Sequence, residues 1–165
     1  MTVERKTPRA GRPHMPGYSI SQSKKGQLPW SWAVERLAAA HNYFVISVRG
    51  NGTRPHAMPV WGVWMDDAFY FSTGATSRKA RNLRANSHCV ITPENGAEAV
   101  IVEGIATVVT DAKLTRRVIK RYETKYAWDM TEYTDPLWCV RPTTVFAFTE
   151  AASTFSTTAT RWTFA

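Results

Sequence analysis

The sequence predicts a mainly β chain: an antiparallel barrel of about six strands with helices packed around it. Three observations lead there. Short runs rich in β-branched and aromatic residues recur from Tyr43 onward, turn signals such as Asn51-Gly52, Asp66-Asp67 and Asn95-Gly96 separate them, and few stretches carry helical spacing. Closing the strands into a barrel disposes of sheet edges that would otherwise invite aggregation.

Residues 1–28 read as an irregular arm, because Pro8, Gly11, Pro13, Pro16, Gly17 and Gly26 break any period. Residues 29–165 read as one domain. Trp30, Val34, Leu37 and Ala38 share a helical face, and residues 43–48 then form a strand. Arg49-Gly50-Asn51-Gly52-Thr53 carries the Asn-Gly hairpin signal, pairing that strand with residues 55–65. The Asp66-Asp67 turn leads into residues 68–72, which completes a three-strand meander. A short helix over 77–85 turns Ala80 and Leu83 inward. Strands over 89–92 and 97–109 follow, the second with Val100, Val102, Ile105 and Val108. Asp111 is placed to cap a helix to about residue 126, with Leu114, Val118, Ile119 and Tyr122 on one stripe. Strands over 144–149 and 153–162 end the chain.

Composition narrows the class. The 165 residues suit one domain, and 44% apolar content is that of a globular protein. No run approaches the ~18 apolar residues of a membrane helix. The basic N-terminus is not followed by the apolar stretch of a secretory signal. Cys89 and Cys139 stand apart, as buried thiols do in a reducing cytoplasm, which is the expected location. The net charge of +8 implies an anionic partner: nucleic acid, an acidic membrane surface or a phosphorylated small molecule. Part of it lies in the arm, at Arg5, Lys6, Arg9 and Arg12. Seven tryptophans favour flat ligands or subunit interfaces.

The segment from Phe69 to Ala80 holds the strongest local signal. A hydroxyl-rich turn leaves a strand and enters a helix that begins Arg78-Lys79. Free backbone N–H groups and the positive helix end favour an anion there. Ser72, Thr73 and Ser77 add hydroxyls, Arg78 offers a two-pronged grip and Lys79 a point charge. The alternative is a capped helix with a solvated basic face that continues through Arg81 and Arg84. Both readings put Arg78 and Lys79 on an exposed first turn. A second signal runs from His56 to Gly62, where Pro59 interrupts a strand ladder before Trp61-Gly62. Either a flat, hydrogen-bonding ring meets that backbone, or the strand is an apolar edge. His14, His41, His56 and His88 show no metal-site spacing, and no dinucleotide, phosphate-loop or hydrolase motif occurs. No catalytic side chain is therefore assigned, and if the protein is an enzyme the hard chemistry falls to a bound cofactor.

Taken together, five segments resemble the pyridoxamine 5′-phosphate oxidase-like superfamily of split β-barrels, and within it the flavin/deazaflavin oxidoreductases that use coenzyme F420. They are His56 to Trp64, Tyr70 to Thr73, Ser77 to Leu83, Val102-Glu103-Gly104 and Thr158 to Trp162. The resemblance spans about residue 29 to the end. It implies an FMN-binding-like split barrel and a homodimer with two equivalent cofactor sites at its interface. It further implies that Arg78 and Lys79 hold the cofactor phosphate, helped by Ser72, Thr73 and Ser77. Met58, Pro59, Val60 and Trp61 would lie along the tricyclic ring, and Arg161 and Trp162 would approach from the other subunit. The strand from His56 to Trp61 lacks the Arg and Lys that pyridoxine-phosphate oxidases carry there, and Arg161-Trp162-Thr163 replaces their Arg-x-His. These departures favour F420 over FMN, which remains the alternative cofactor. The implied reaction is hydride transfer to a small redox substrate of enone or quinone type; a non-catalytic cofactor carrier is the other reading. Neither nucleic acid nor a membrane is expected as partner.

Overall fold

The computed structural model describes residues 7–50 and 54–165. Along the chain they form β1 (Arg9–Gly11), α1 (Trp30–Ala39), β2 (Tyr43–Ser47), β3 (His56–Val60), β4 (Gly62–Met65) and β5 (Ala68–Ser72). Then come α2 (Arg78–Ala85), β6 (His88–Pro93), β7 (Glu98–Val108), α3 (Ala112–Tyr126), β8 (Leu137–Thr149), the single turn α4 (Phe155–Thr158) and β9 (Thr160–Thr163).

The strands close on themselves. β3 and β4 are successive parts of one bent strand: β3 pairs with β2, and β4 pairs with β5. From β2 the ladder continues through β6 and β7 to β8, and β5 returns to β8 to complete the ring. All of these pairings are antiparallel. The 13-residue β8 makes closure work. One edge pairs with β7 along nearly its whole length, while the other serves β5 through residues 137–140 and β9 through 144–147.

Alternation along the strands splits the buried side chains into two layers. Phe69 and Phe71 of β5 face the barrel core with Tyr43, Val45, Ile91, Trp138, Val140 and Trp162, and α1 adds Ala33 and Leu37. The other face of β5, with Ala68 and Tyr70, packs with Leu137 and Cys139 against Val118 and Tyr122 of α3. Burying each large apolar side chain contributes about 1.5–3 kcal/mol before entropy is counted. Cys89 and Cys139 are both buried free thiols, and burial pushes Cys89 up to about 12. No described helix is long and apolar enough to cross a membrane. Among the described residues, no cluster of His, Cys, Asp and Glu has the makings of a metal site.

Several expectations need correction. The strand expected over 55–65 is two, broken at Trp61. β8 begins at Leu137 rather than 144, because Leu137 to Val140 are buried on both faces and leave no alternation to read. The strand expected over 153–162 is α4 plus the short β9. Hydroxyls there bond the local backbone, Thr158 Oγ1 to the Thr154 carbonyl (2.8 Å) among them, and hold a turn. Within the arm, Arg9–Gly11 pair with β9. The Arg12 guanidinium donates to the carbonyls of Ser23 (2.9 Å), Lys25 (2.9 Å), Thr157 (2.6 Å) and Ala159 (2.8 Å), tying the arm to the end of the chain. The Asn51-Gly52 turn lies outside the described residues.

The β7–β8 register shifts between Glu103 and Gly104. A Cβ on Gly104 would stand 2.5 Å from the Arg141 carbonyl oxygen and 2.8 Å from Val140 Cγ1. Gly104→Ala should therefore lose about 1–3 kcal/mol in a urea titration; an unchanged midpoint would mean that this ladder has room to give.

Candidate cofactor site

The first turn of α2 is built by local chemistry. Ser77 is its N-cap, with Oγ accepting from the Ala80 amide (3.1 Å). The same Oγ lies 3.2 Å from Thr73 Oγ1, which accepts from Lys79 Nζ at 3.2 Å. Thr73, Ser77 and Lys79 thus form one polar cluster where β5 hands over to α2. Lys79 is only 7% exposed, and burial lowers its pKa below the usual lysine range. This corrects the expectation that Arg78 and Lys79 share an exposed turn. Arg78 is exposed, but helical rotation carries the next side chain under the helix.

Beside this cluster, Arg49, Arg54, Arg78, Arg81 and Asn82 line a cavity of about 220 Å³. Its described lining holds four guanidinium groups and no carboxylate. Arg49 and Arg54 come from the two arms of the β2–β3 hairpin, and Asn82 is anchored by its Nδ2–H to Ser47 Oγ (3.2 Å). Arg78 also donates to the Arg54 carbonyl (3.3 Å). The local field registers on His56 of β3, whose pKa is lowered by desolvation and then by Arg78 and Lys79. Guanidinium groups gathered this way repel one another, and a phosphate or carboxylate among them relieves the repulsion while accepting charge-assisted hydrogen bonds. The donor set fits an anionic cofactor group.

A second cavity, of about 280 Å³, is lined by Trp61, Ser72, Tyr122, Trp128, Met130 and Tyr133. Trp61 (38% exposed), Trp128 (55%) and Tyr133 (38%) are among the large apolar side chains that the fold leaves open, and they gather here. Ser72, with Oγ donating to the Pro136 carbonyl (3.0 Å), lines this cavity; the next residue, Thr73, accepts from Lys79, whose chain neighbour Arg78 lines the first.

Between β3 and β4 the ladder is interrupted, as Pro59 and Gly62 suggest, but no ligand is needed to meet the backbone there. Side chains of α3 do so. Tyr122 OH donates to the Trp61 carbonyl. The Gly62 N–H donates to Tyr126 OH (2.9 Å), and Lys125 Nζ donates to the Gly62 carbonyl (3.0 Å). The Trp61 and Tyr126 rings stack at 4.5 Å, 3° from parallel.

The expected site residues fall into three groups. Trp61, Ser72 and Arg78 line the two cavities, and Thr73, Ser77 and Lys79 form the polar cluster between β5 and α2. On β3, Met58 and Pro59 are exposed, whereas Val60 turns into the core. On β9, alternation turns Thr160 and Trp162 inward. Trp162, 1% exposed, packs in the core with its ring 5.3 Å from that of Trp30, so it presents no face to a ligand in this chain. Arg161 is half-buried on the opposite face of β9. The sequence reading missed Arg49, Arg54, Tyr122, Trp128, Met130 and Tyr133. Arg49 and Arg54 bracket the Asn-Gly turn and so stand at the hairpin tip, a signal that was available.

A ring of antiparallel strands closed through the bent β3–β4 strand, with helices packed outside it, defines a split-barrel protein. The model of the pyridoxamine 5′-phosphate oxidase family matches residues 32–150, and the chain belongs to that family. No match was found among curated proteins. Among solved structures, the conserved hypothetical protein Rv2991 from Mycobacterium tuberculosis aligns with TM-score 0.66 and 17% identity, covering 76% of this chain and 88% of that one. An F420 reductase aligns with TM-score 0.53 and 22% identity, covering 67% and 93%. HutZ, the heme storage protein from Vibrio cholerae, aligns with TM-score 0.56 and 18% identity, covering 68% and 86%. At these identities the likeness is one of fold.

The buried ammonium has a measurable consequence. The folded pKa of Lys79 is depressed, so the unfolded chain binds more protons and folding stability rises as pH climbs toward the free lysine value of about 10.4. Lys79→Met should raise the melting temperature of the ligand-free protein near neutral pH and flatten that rise. A variant that melts lower, with the same pH slope, would contradict this assignment.

Proposed function

We propose that this protein is an oxidoreductase that uses reduced coenzyme F420 to deliver hydride to an electron-poor ring acceptor of enone or quinone type. The observation that carries this reading is that one strand–turn–helix segment serves two cavities: Arg78 and Arg81 of α2 line one together with Arg49 and Arg54, and Ser72 at the end of β5 lines the other among aromatic rings. F420 carries a phosphodiester and a string of carboxylates, several anionic groups for the four guanidinium groups of the cavity to meet, where FMN offers a single terminal phosphate. The absence of Arg and Lys along β3 favours the same choice over FMN.

When bound, the reduced deazaflavin supplies the hydride; the protein's share is placement. Arg49, Arg54, Arg78 and Arg81 hold the anionic end, with Thr73, Ser77 and Lys79 as the inner donors. Among the described residues β3 pairs with β2 alone, so its other edge is free to run along the tricyclic ring at Met58 and Pro59, with the Trp61 side chain beside it. The aromatic cavity receives the acceptor and excludes water from it. A second copy of the chain closes the site, supported by the exposed Phe44, Met58 and Pro59 around the same strands.

Titration of the purified protein with F420 and with FMN, followed by absorbance and fluorescence, tests the reading. Submicromolar F420 affinity and oxidation of reduced F420 by menadione are expected. Arg78→Ala should weaken F420 binding about ten- to a hundredfold, since a charge-assisted hydrogen bond contributes about 1.5–3 kcal/mol. Light scattering should give twice the 18.6 kDa chain mass. Tight FMN binding without F420 binding would reassign the cofactor. F420 binding without turnover across a broad acceptor panel would make the protein a carrier.

A further inference from the structure

Trp61 stands where a strand ladder no longer supports it, yet its carbonyl, the next peptide unit and its ring are all held. The holders are consecutive or one helical turn apart on α3: Tyr122, Lys125 and Tyr126. Lys125 is central to the arrangement. Its Nζ donates to the Gly62 carbonyl and to Tyr43 OH (2.7 Å), joining α3 to β4 and β2. It also lies 4.7 Å from the Tyr43 ring centroid and 5.3 Å from that of Tyr126, the ring on which Trp61 stacks.

We propose that Lys125 and Tyr126 are positioning residues, which hold the Trp61 indole as a fixed wall of the aromatic cavity for a flat ligand ring to stack against. Only the ligand part of this inference rests on the acceptor reading given above. A half-buried ammonium is a poor choice for stability alone. Taking it out of water is costly, and an apolar side chain of similar length would pack there at no loss. What the ammonium adds is direction: it grips one carbonyl and two aromatic rings at once. After Tyr126, Ala127 adopts a left-handed conformation before Trp128, whose ring stands edge-on to Trp61 at 6.1 Å, so the same helix end supplies the adjoining wall.

Burial, reinforced by Arg121, brings the Lys125 pKa down to about 8, which makes the grip titratable. The other titratable or charged groups around it are Tyr43 on β2, His41 before β2, Glu94 after β6, and Arg121, Tyr122 and Tyr126 on α3. Burial holds Tyr43, Tyr122 and Tyr126 protonated well above that range. His41 touches both Trp61 and Tyr126 with its ring and needs a separate control.

The test uses the whole protein labelled with 5-fluorotryptophan and needs no ligand in its first part. The fluorine resonance of Trp61, assigned by its loss in Trp61→Phe, should shift from about pH 7 to about pH 9.5 with a midpoint near 8, while those of Trp138 and Trp162 stay in place. Lys125→Met should abolish the shift and His41→Gln should keep it. In the same samples, Lys125→Met should weaken menadione binding about tenfold and leave pyrophosphate binding at the arginine cavity unchanged. Tyr126→Phe, which keeps the stack but loses the bond to Gly62, should weaken menadione binding less. A Trp61 resonance that does not titrate, or that titrates identically in Lys125→Met, overturns the positioning role. A titrating resonance in a protein that binds no menadione supports the role and instead rejects the acceptor reading of the cavity.

Discussion

A strand that serves two neighbours in a closed barrel must leave one ladder before it joins the next, and at that point its peptide groups lose their partners. Here the change falls at Trp61-Gly62, and much of the molecule is arranged around it. A Cβ on Gly62 would stand 2.1 Å from Phe69 Cζ, so the bent strand lies against the core only because that residue has no side chain. The peptide groups cannot be left unmet, since an unpaired polar group away from water costs about 1–3 kcal/mol. The polar tips of α3 meet them. This demand accounts for the tyrosines at 122 and 126 and for a cation at 125, on a helix face that packing alone would make wholly apolar.

The same solution places the two cavities around the break. The α3 side chains that satisfy the backbone also orient Trp61 toward Trp128 and Tyr133, making an aromatic cavity. The strand that leaves the break, β4, turns at Asp66-Asp67 into β5, whose last residue, Ser72, reaches that cavity. One residue later Thr73 begins the cationic cluster. Buried aromatic packing and an unbalanced positive charge thus meet within a few residues, and the second is tolerated because the first supplies the stability. Arg81 and Arg84 show how part of the charge is used structurally, donating to the Thr76 and Ala75 carbonyls of the loop before α2.

Local chemistry was legible in the sequence and long-range pairing was not. The short helix from about residue 77, the Asp111 cap and the stripe through Val118 and Tyr122 depend on neighbours within one or two helical turns, and they stand as read. The first half of β8 gave no period because both of its faces are covered. Arg12 carried no signal at all, since its carbonyl partners include Thr157 and Ala159 at the far end of the chain. Arg49 and Arg54 belong to the site through hairpin register, which a turn signal implies but does not locate relative to α2. Tyr122 was read for its place on the apolar stripe and residue 126 only as the helix end, while the hydroxyls of Tyr122 and Tyr126 do the work at the break. The resemblance put Trp162 at a neighbouring subunit's cofactor, whereas the two-residue alternation of β9 turns it into the core of its own chain.

The dependence on the Trp61-Gly62 break can be tested directly by hydrogen exchange at the Gly62 amide. That N–H donates to Tyr126 OH, a side chain, and not to a neighbouring strand. The account predicts a protected Gly62 amide in the wild-type protein, with protection lost selectively in Tyr126→Phe while the amides of the β2–β6 ladder keep theirs. An amide that exchanges freely in the wild type, or that stays protected without the Tyr126 hydroxyl, would contradict it.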